Sequence, residues 1–163
     1  TYPIGEFSSA GLFVLIVLMF IGASPGSTGG GIKTSTFFVM LSATRSAATN
    51  QHCMAFFRKL PVDDISKAFI IAFLSMLTVC MGTLALCLLE PGYTFIQILF
   101  EVTSAFGTVG LSTGITPDLL PASKLLLVLI MFIGRLGAMT IVSMWSFKQP
   151  TTAVFTEENI TIG

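Results

Sequence analysis

Apolar residues along the chain fall into four blocks, separated by short polar or glycine-rich stretches. The longest runs from Ala68 to Leu89 with no charged residue in 22 positions. As a helix rising 1.5 Å per residue it would measure roughly 33 Å, enough to cross a hydrocarbon core of about 30 Å. A second block, Leu125 to Phe147, is broken only by Arg135. The first in chain order, Gly11 to Ala23, is too short to span alone and stops at PGSTGGGIKT (25–34); apolar helix then resumes at Ile32 and continues to about Ala43. The remaining block, Phe95 to Phe106, has the length of a re-entrant segment, a helix that enters the membrane and turns back.

Composition agrees with this pattern. Of 163 residues, 53% are hydrophobic and 10% charged, against about 25% charged in an ordinary soluble domain. Mean hydropathy is +0.90. The eight basic and eight acidic residues cancel, so charge gives no reason to expect nucleic acid as a partner. Cys53, Cys80 and Cys87 have no metal-type spacing and read as small hydrophobes. No Ser/His/Asp set and no paired carboxylates are visible, so no enzymatic chemistry is expected. The chain reads as an all-α integral membrane protein.

The basic residues orient it. Arg45, Arg58, Lys59 and Lys67 lie between the first and second spans, and Lys148 follows the last. The positive-inside rule makes these segments cytoplasmic, with the polar tail 148–163. Glu90 and Asp118 bracket the re-entrant block and are expected to face outside, Lys124 being the exception. His52 falls in the connector and reads as a solvated side chain, while Phe56, Phe57, Arg58 and Lys59 suit either anionic lipid or a cytosolic partner.

An internal repeat is also visible. LMFIG at 18–22 recurs as IMFIG at 130–134, an offset of 112 that also places Thr1 on Thr113. The part of the first copy that would match the re-entrant block falls ahead of residue 1, so the chain is expected to be the C-terminal part of a longer one.

Two stretches carry candidate chemistry. A half-length helix returns as extended backbone whose polar groups need protein or ion partners. In EVTSAFGTVGLSTGITP (101–117) that return holds Thr108, Val109, Gly110 and Leu111. Backbone carbonyls can replace an ion's hydration shell, and glycine allows the dihedrals that aim successive carbonyls at one path. An ordinary glycine turn between two helices is the plainer reading. Glu101, nine residues before Gly110, is either a charge felt by cations or a structural carboxylate bonded to nearby backbone.

The second stretch contains Gly26, Ser27, Thr28, Gly29, Gly30, Gly31 and Lys33. It looks like a phosphate loop, but G-x-x-x-x-G-K-[ST] counted from Gly26 requires lysine where Ile32 stands, and Lys33 comes one position late. An apolar helix precedes it in place of a strand. Small polar residues at membrane depth fit irregular backbone that lines a cavity or is buried in protein, as a gate or as a packing kink. Arg135, at 112 residues from Ala23, is expected to face the pore beside this loop and bond its carbonyls or hydroxyls; pairing with a carboxylate elsewhere in a longer chain is the alternative.

FEVTSAFGTVGLSTGITPDL, KLLLVLIMFIGRLGAMTI and LMFIGASPGSTGGGIKTST, in their order, resemble the Trk/Ktr/HKT family of potassium transporters, most closely its Ktr-type and sodium-ATPase J-type membrane subunits. The resemblance covers essentially the whole chain. It implies four covalently joined repeats of helix, pore helix with filter, and helix around one pseudo-fourfold pore. On that pattern residues 1–48 are the second inner helix of repeat three with an intramembrane gating loop at 24–36, 49–67 a cytosolic connector, and 68–147 repeat four. Repeat four divides into outer helix 68–89, pore helix 95–106, filter 107–112 with Gly110 as its glycine, and inner helix 119–147. The resemblance further implies potassium uptake across the cell membrane, with or without sodium dependence, by a homodimer on a cytosolic ring of nucleotide-binding (RCK/KTN-type) subunits. No cofactor or resident metal is implied, only transported K+ or Na+. Alternatives are a sodium-translocating or sodium-ATPase-associated subunit and, more remotely, a nucleotide-binding enzyme.

Overall fold

In the computed structural model, residues 4–49, 54–55 and 58–137 are described; the connector residues 50–53 and 56–57 and everything beyond 137 lie outside the described residues. His52, Cys53, Phe56, Phe57 and the 148–163 tail are among the latter.

Five helices make up the described chain: α1 (Ser9–Phe20), α2 (Thr34–Thr49), α3 (Val62–Leu89), α4 (Phe95–Gly107) and α5 (Pro121–Leu136). Short 3-10 turns lie at Ile4–Glu6 and Thr116–Asp118, and the connector pairs Met54–Ala55 with Arg58–Lys59 in an antiparallel two-residue ladder. The described residues are therefore helical apart from this ladder and the connecting turns.

Helix boundaries follow local chemistry. Ser8 caps α1 by accepting from the Gly11 amide. α3 begins at Val62, ahead of the apolar block at Ala68, because Asp63 and Asp64 suit the positive end of a helix dipole. Over its 28 residues α3 measures roughly 42 Å, and it is the one helix among the described residues long and apolar enough to cross a membrane. Only 28% of its most apolar window is buried within the chain. Phe73, Met81, Leu84 and Leu88 stand exposed on it, the arrangement of a helix whose solvent is lipid or further protein. Thr94 and Gln97 form a capping box that starts α4.

α5 starts with Pro121, and the amide of its N-cap residue Leu120 is met from a distance. Glu90, just past α3, accepts from the Leu120 amide at 2.6 Å and from Ser123 Oγ at 2.8 Å. Glu90 is 8% exposed. A carboxylate is well matched to the amides left over at a helix start. Asp118, by contrast, is exposed.

At the centre lies α4, which packs against α1, α3 and α5. Every residue from Phe100 to Gly107 is buried. Ile98, Val102 and Phe106 join Val79 and Leu86 of α3 and Leu127 and Ile130 of α5 in one core, and Phe100 meets Leu12, Ile16 and Met19 of α1 in a second. A half-length helix is thus held as the hub, with its C-terminal end fixed in space.

Candidate functional site

The C-terminal end of α4, the glycine loop and α5 converge at one junction built from glycines. A Cβ on Gly134 would sit 1.9 Å from the Phe106 carbonyl oxygen, and one on Gly107 would sit 2.7 Å from that of Met19. A Cβ on Gly30 would meet the Phe106 oxygen at 2.7 Å and the Gly134 oxygen at 3.1 Å. Backbone packs directly on backbone here, which only residues without a side chain permit. Gly22 and Gly134, equivalent under the 112-residue offset, both accept such an approach; a Cβ on Gly22 would lie 2.2 Å from the Gly30 oxygen.

The glycine loop is a closed excursion with a fixed neck. Ile21 and Ile32 form an isolated parallel bridge, the Gly22 amide donates to the Ile32 carbonyl at 2.7 Å, and the Ile32 amide donates to the Phe20 carbonyl at 3.2 Å. Use of Ile32 in this bridge delays the second helix to Thr34, past the Ile32 start expected from hydropathy. Gly26 and Gly31 adopt φ of 85° and 80°. Lys33 turns back onto the loop, its Nζ donating to the Ser27 carbonyl at 3.0 Å and the Gly29 carbonyl at 3.2 Å. The Gly29 amide donates to Ser27 Oγ. Ser24 to Thr28 are exposed, while Gly30 is buried. The ammonium of Lys33 is thereby engaged by loop carbonyls, an arrangement unlike that of a phosphate-binding lysine, which reaches outward.

After α4 the chain turns sharply. Thr108 takes the left-handed conformation (φ 52°, ψ 37°) and Gly110 follows at φ 83°. The Thr108 and Val109 amides donate back to the carbonyls of Ala105 and Ser104, each at 3.0 Å, finishing the helix. Ser104 Oγ donates to the Leu111 carbonyl. The carbonyls of Thr108, Val109 and Gly110 accept from nothing among the described residues. Val109, Gly110 and Leu111 are exposed, and a Cβ on Gly110 would meet nothing within 4 Å. At Gly110 the demand for glycine is therefore conformational.

Loop and turn touch through one bond: the Gly30 amide donates to Thr108 Oγ1 at 2.8 Å. The sequence suggested a loop lying below the turn but no particular bond between them, since the partners are 78 residues apart.

Glu101, read two ways from sequence, takes the structural role. Its Oε1 accepts from Ser112 Oγ at 2.7 Å, the Thr113 amide at 2.8 Å and Thr113 Oγ1 at 3.1 Å; Oε2 accepts from Thr116 Oγ1 at 2.8 Å. Only 5% exposed, it anchors the chain that returns from the turn. The spacing of serine and threonines over 112–116 was the signal available for this clamp.

Arg135 lies in the last described turn of α5 and is exposed. None of the hydrogen bonds to the loop comes from it among the described residues, so the expected bonds from Arg135 to loop carbonyls are not formed; Lys33, nearer in sequence and flexible, makes them.

A spanning-length apolar helix, a buried half-length helix with a backbone turn at its end, and a helix interrupted by a glycine loop are parts that suit a helical membrane protein. The comparison with known proteins narrows this. A family model described as cation transport protein (TrkH) matches residues 1–156, and the chain belongs to that family. It is 43% identical over 141 residues to Ktr system potassium uptake protein D of Bacillus subtilis, covering 86% of this chain and 31% of that protein. Ktr system potassium uptake protein B of Vibrio alginolyticus is 35% identical over 159 residues, 97% of this chain and 35% of its own length. Potassium/sodium uptake protein NtpJ of Enterococcus hirae is 38% identical over 141 residues, 84% of this chain and 31% of its own. The chain thus spans about a third of the length of these relatives. Proteins of this family are membrane transporters of cations.

Proposed function

We propose that the chain forms one sector of a potassium-uptake pathway in a Ktr-type membrane subunit. The observation that carries this reading is the run of unpartnered carbonyls at Thr108, Val109 and Gly110, presented at the end of a buried helix. Carbonyls left without donors in a membrane protein need water or a cation, and a ring of such strands replaces a hydration shell. The C-terminal end of α4, carrying the negative end of its dipole, favours a cation below the turn. In this reading Thr108, Val109, Gly110 and Leu111 form one filter strand (107–112), α4 is its pore helix, and α3 and α5 are the outer and inner helices of one repeat. Leu111 supplies chain direction more than a ligand, since its carbonyl is engaged by Ser104. The potassium uptake named for the relatives supports potassium as the ion.

The loop from Gly26 to Lys33 acts as the gate. It packs against the Phe106 carbonyl, below the filter strand, and its tip residues Ser24 to Thr28 are exposed. Arg135 follows the Gly134 contact in chain order and adds positive potential beneath the filter. Residues 49–67 face the cytoplasm, and the subunit works as a homodimer regulated by a cytosolic nucleotide-binding partner of the RCK/KTN type; the words "Ktr system" in the relatives' names fit a multi-component assembly. This chain itself carries no cofactor in that scheme. A sodium-coupled or sodium-carrying variant is a second reading, favoured by the words "potassium/sodium uptake" in the name of one relative.

The test is complementation of a potassium-uptake-deficient bacterium by the full-length gene, with Gly110→Ser beside it. Growth at low potassium with the wild-type gene, and reduced potassium-over-sodium preference with G110S, are expected. No growth with the wild-type gene, together with its partner subunit, overturns the assignment. Arg135→Ala raises resting flux if the positive potential opposes cations; unchanged flux and gating remove that role.

A further inference from the structure

A threonine at φ 52° is a costly choice. Left-handed backbone crowds any Cβ, and a β-branched residue is a genuine outlier there, where glycine or asparagine would sit with less strain. The threonine at 108 therefore needs a reason beyond chain direction, and its hydroxyl supplies one. Thr108 Oγ1 accepts the amide of Gly30, a buried donor in the centre of the glycine loop that has no other acceptor among the described residues. Its carbonyl, on the same residue, is the first of the three that face no donor.

We propose that Thr108 couples the two devices: its carbonyl belongs to the filter strand while its side chain latches the gate. The inference rests on the filter-and-gate reading and assigns it a residue-level link. Withdrawal of the loop must break the Gly30 to Thr108 bond, a loss that favours the latched state. Coupling of this kind is reciprocal. Whatever shifts the Thr108 backbone, including the cation held by its carbonyl, alters the latch; whatever removes the loop frees Thr108 and changes how tightly the strand holds its ion.

Gly30 fits the latch sterically as well as chemically. A Cβ there would meet the Phe106 oxygen at 2.7 Å, the Gly134 oxygen at 3.1 Å and Thr108 Cγ2 at 3.1 Å. The first two are backbone atoms that no change at Thr108 relieves, so a methyl group must displace the loop. This provides an internal control by a double-mutant cycle.

Thr108→Ala and Thr108→Ser both remove the β-branch and relieve the same backbone crowding, but only serine keeps the hydroxyl. In the full-length protein, co-expressed with its regulatory partner in uptake-deficient cells, T108A is expected to show a resting potassium flux about fivefold to tenfold above that of T108S, the two sharing any change that comes from losing the β-branch in the filter strand. In a Gly30→Ala background, where the loop is already displaced, T108A is expected to match T108S. T108S behaving as T108A without G30A overturns the latch, as does a difference between them of equal size with and without G30A. Thr108 then acts on the filter alone. A wild-type protein with no potassium flux fails the transport assignment itself, a result distinguishable from every outcome of the cycle.

Discussion

Replacing Glu101 tests the architecture of the turn most directly. Its carboxylate receives Ser112 Oγ, the Thr113 amide and Thr113 Oγ1 on one oxygen and Thr116 Oγ1 on the other. Hydrogen bonds to a charged group contribute about 1.5–3 kcal/mol each, and neutral ones about 0.5–1.5. Glu101→Gln keeps the shape. The amide oxygen takes over the three donors at Oε1, and the amide nitrogen donates to Thr116 Oγ1, whose hydrogen turns toward Ser112 Oγ at 2.9 Å. Weakening of the bonds is partly offset by no longer burying a charge, so a loss of about 1–2 kcal/mol is expected. Glu101→Ala removes every acceptor at once. With each stranded buried donor costing about 1–3 kcal/mol, and the hydroxyls partly repairing themselves, the loss is about 3–4 kcal/mol. The assay is denaturant unfolding of the full-length protein in detergent, paired with hydrogen exchange at residues 112–116. Exchange at the Thr113 amide is expected to be near wild type in E101Q and much faster in E101A. Equal stability of the two variants, or unaltered exchange at Thr113 in E101A, refutes the clamp.

Gly134→Ala places a methyl group 1.9 Å from the Phe106 carbonyl oxygen, a backbone atom that cannot turn away, and is expected to cost at least about 2 kcal/mol; Gly92→Ala, with open space around its Cβ, is expected to be nearly neutral, and melting curves of the two compare them directly. Lys33→Met frees the Ser27 and Gly29 carbonyls, and hydrogen exchange over residues 24–31 should quicken while α3 stays protected. Glu90→Ala removes the acceptor for Leu120 and Ser123 at the start of α5 and should lower stability by about 1–2 kcal/mol, Glu90→Gln by less, read by the same unfolding assay.

The length of the apolar blocks placed the cores of α1 to α4, because a membrane-buried backbone must pair with itself and leaves a long uncharged signature. The last block was read as one inner helix over 119–147, whereas α5 ends at Leu136 with Gly137 as its cap and residues 138–147 lie outside the described residues. The block at 68–89 lies within α3 and that at 95–106 within α4, and the interruption between α1 and α2 falls on the glycines. Glycine, lysine and spacing also told against a phosphate cradle, since a one-residue shift in a motif is a property of order along the chain. Local order alone decided these features.

What sequence left open depended on atoms far apart in the chain. Whether Glu101 was a charge for cations or an anchor was decided by the return of Ser112, Thr113 and Thr116 beside it. That Glu90 would cap the start of α5, 30 residues on, was not legible from its place after an apolar block; it depends on the Leu120 amide and Ser123 hydroxyl being brought beside it. Arg135 was the obvious charge to hold the loop, yet Lys33 reaches the loop carbonyls from within. The Gly30 to Thr108 bond joins two stretches whose separate motifs carry no sign of each other. Helix formation is a local free-energy balance, so composition and period determine it; the pairing of a particular donor with a particular acceptor is settled only when packing brings both to one place and excludes water from the alternatives.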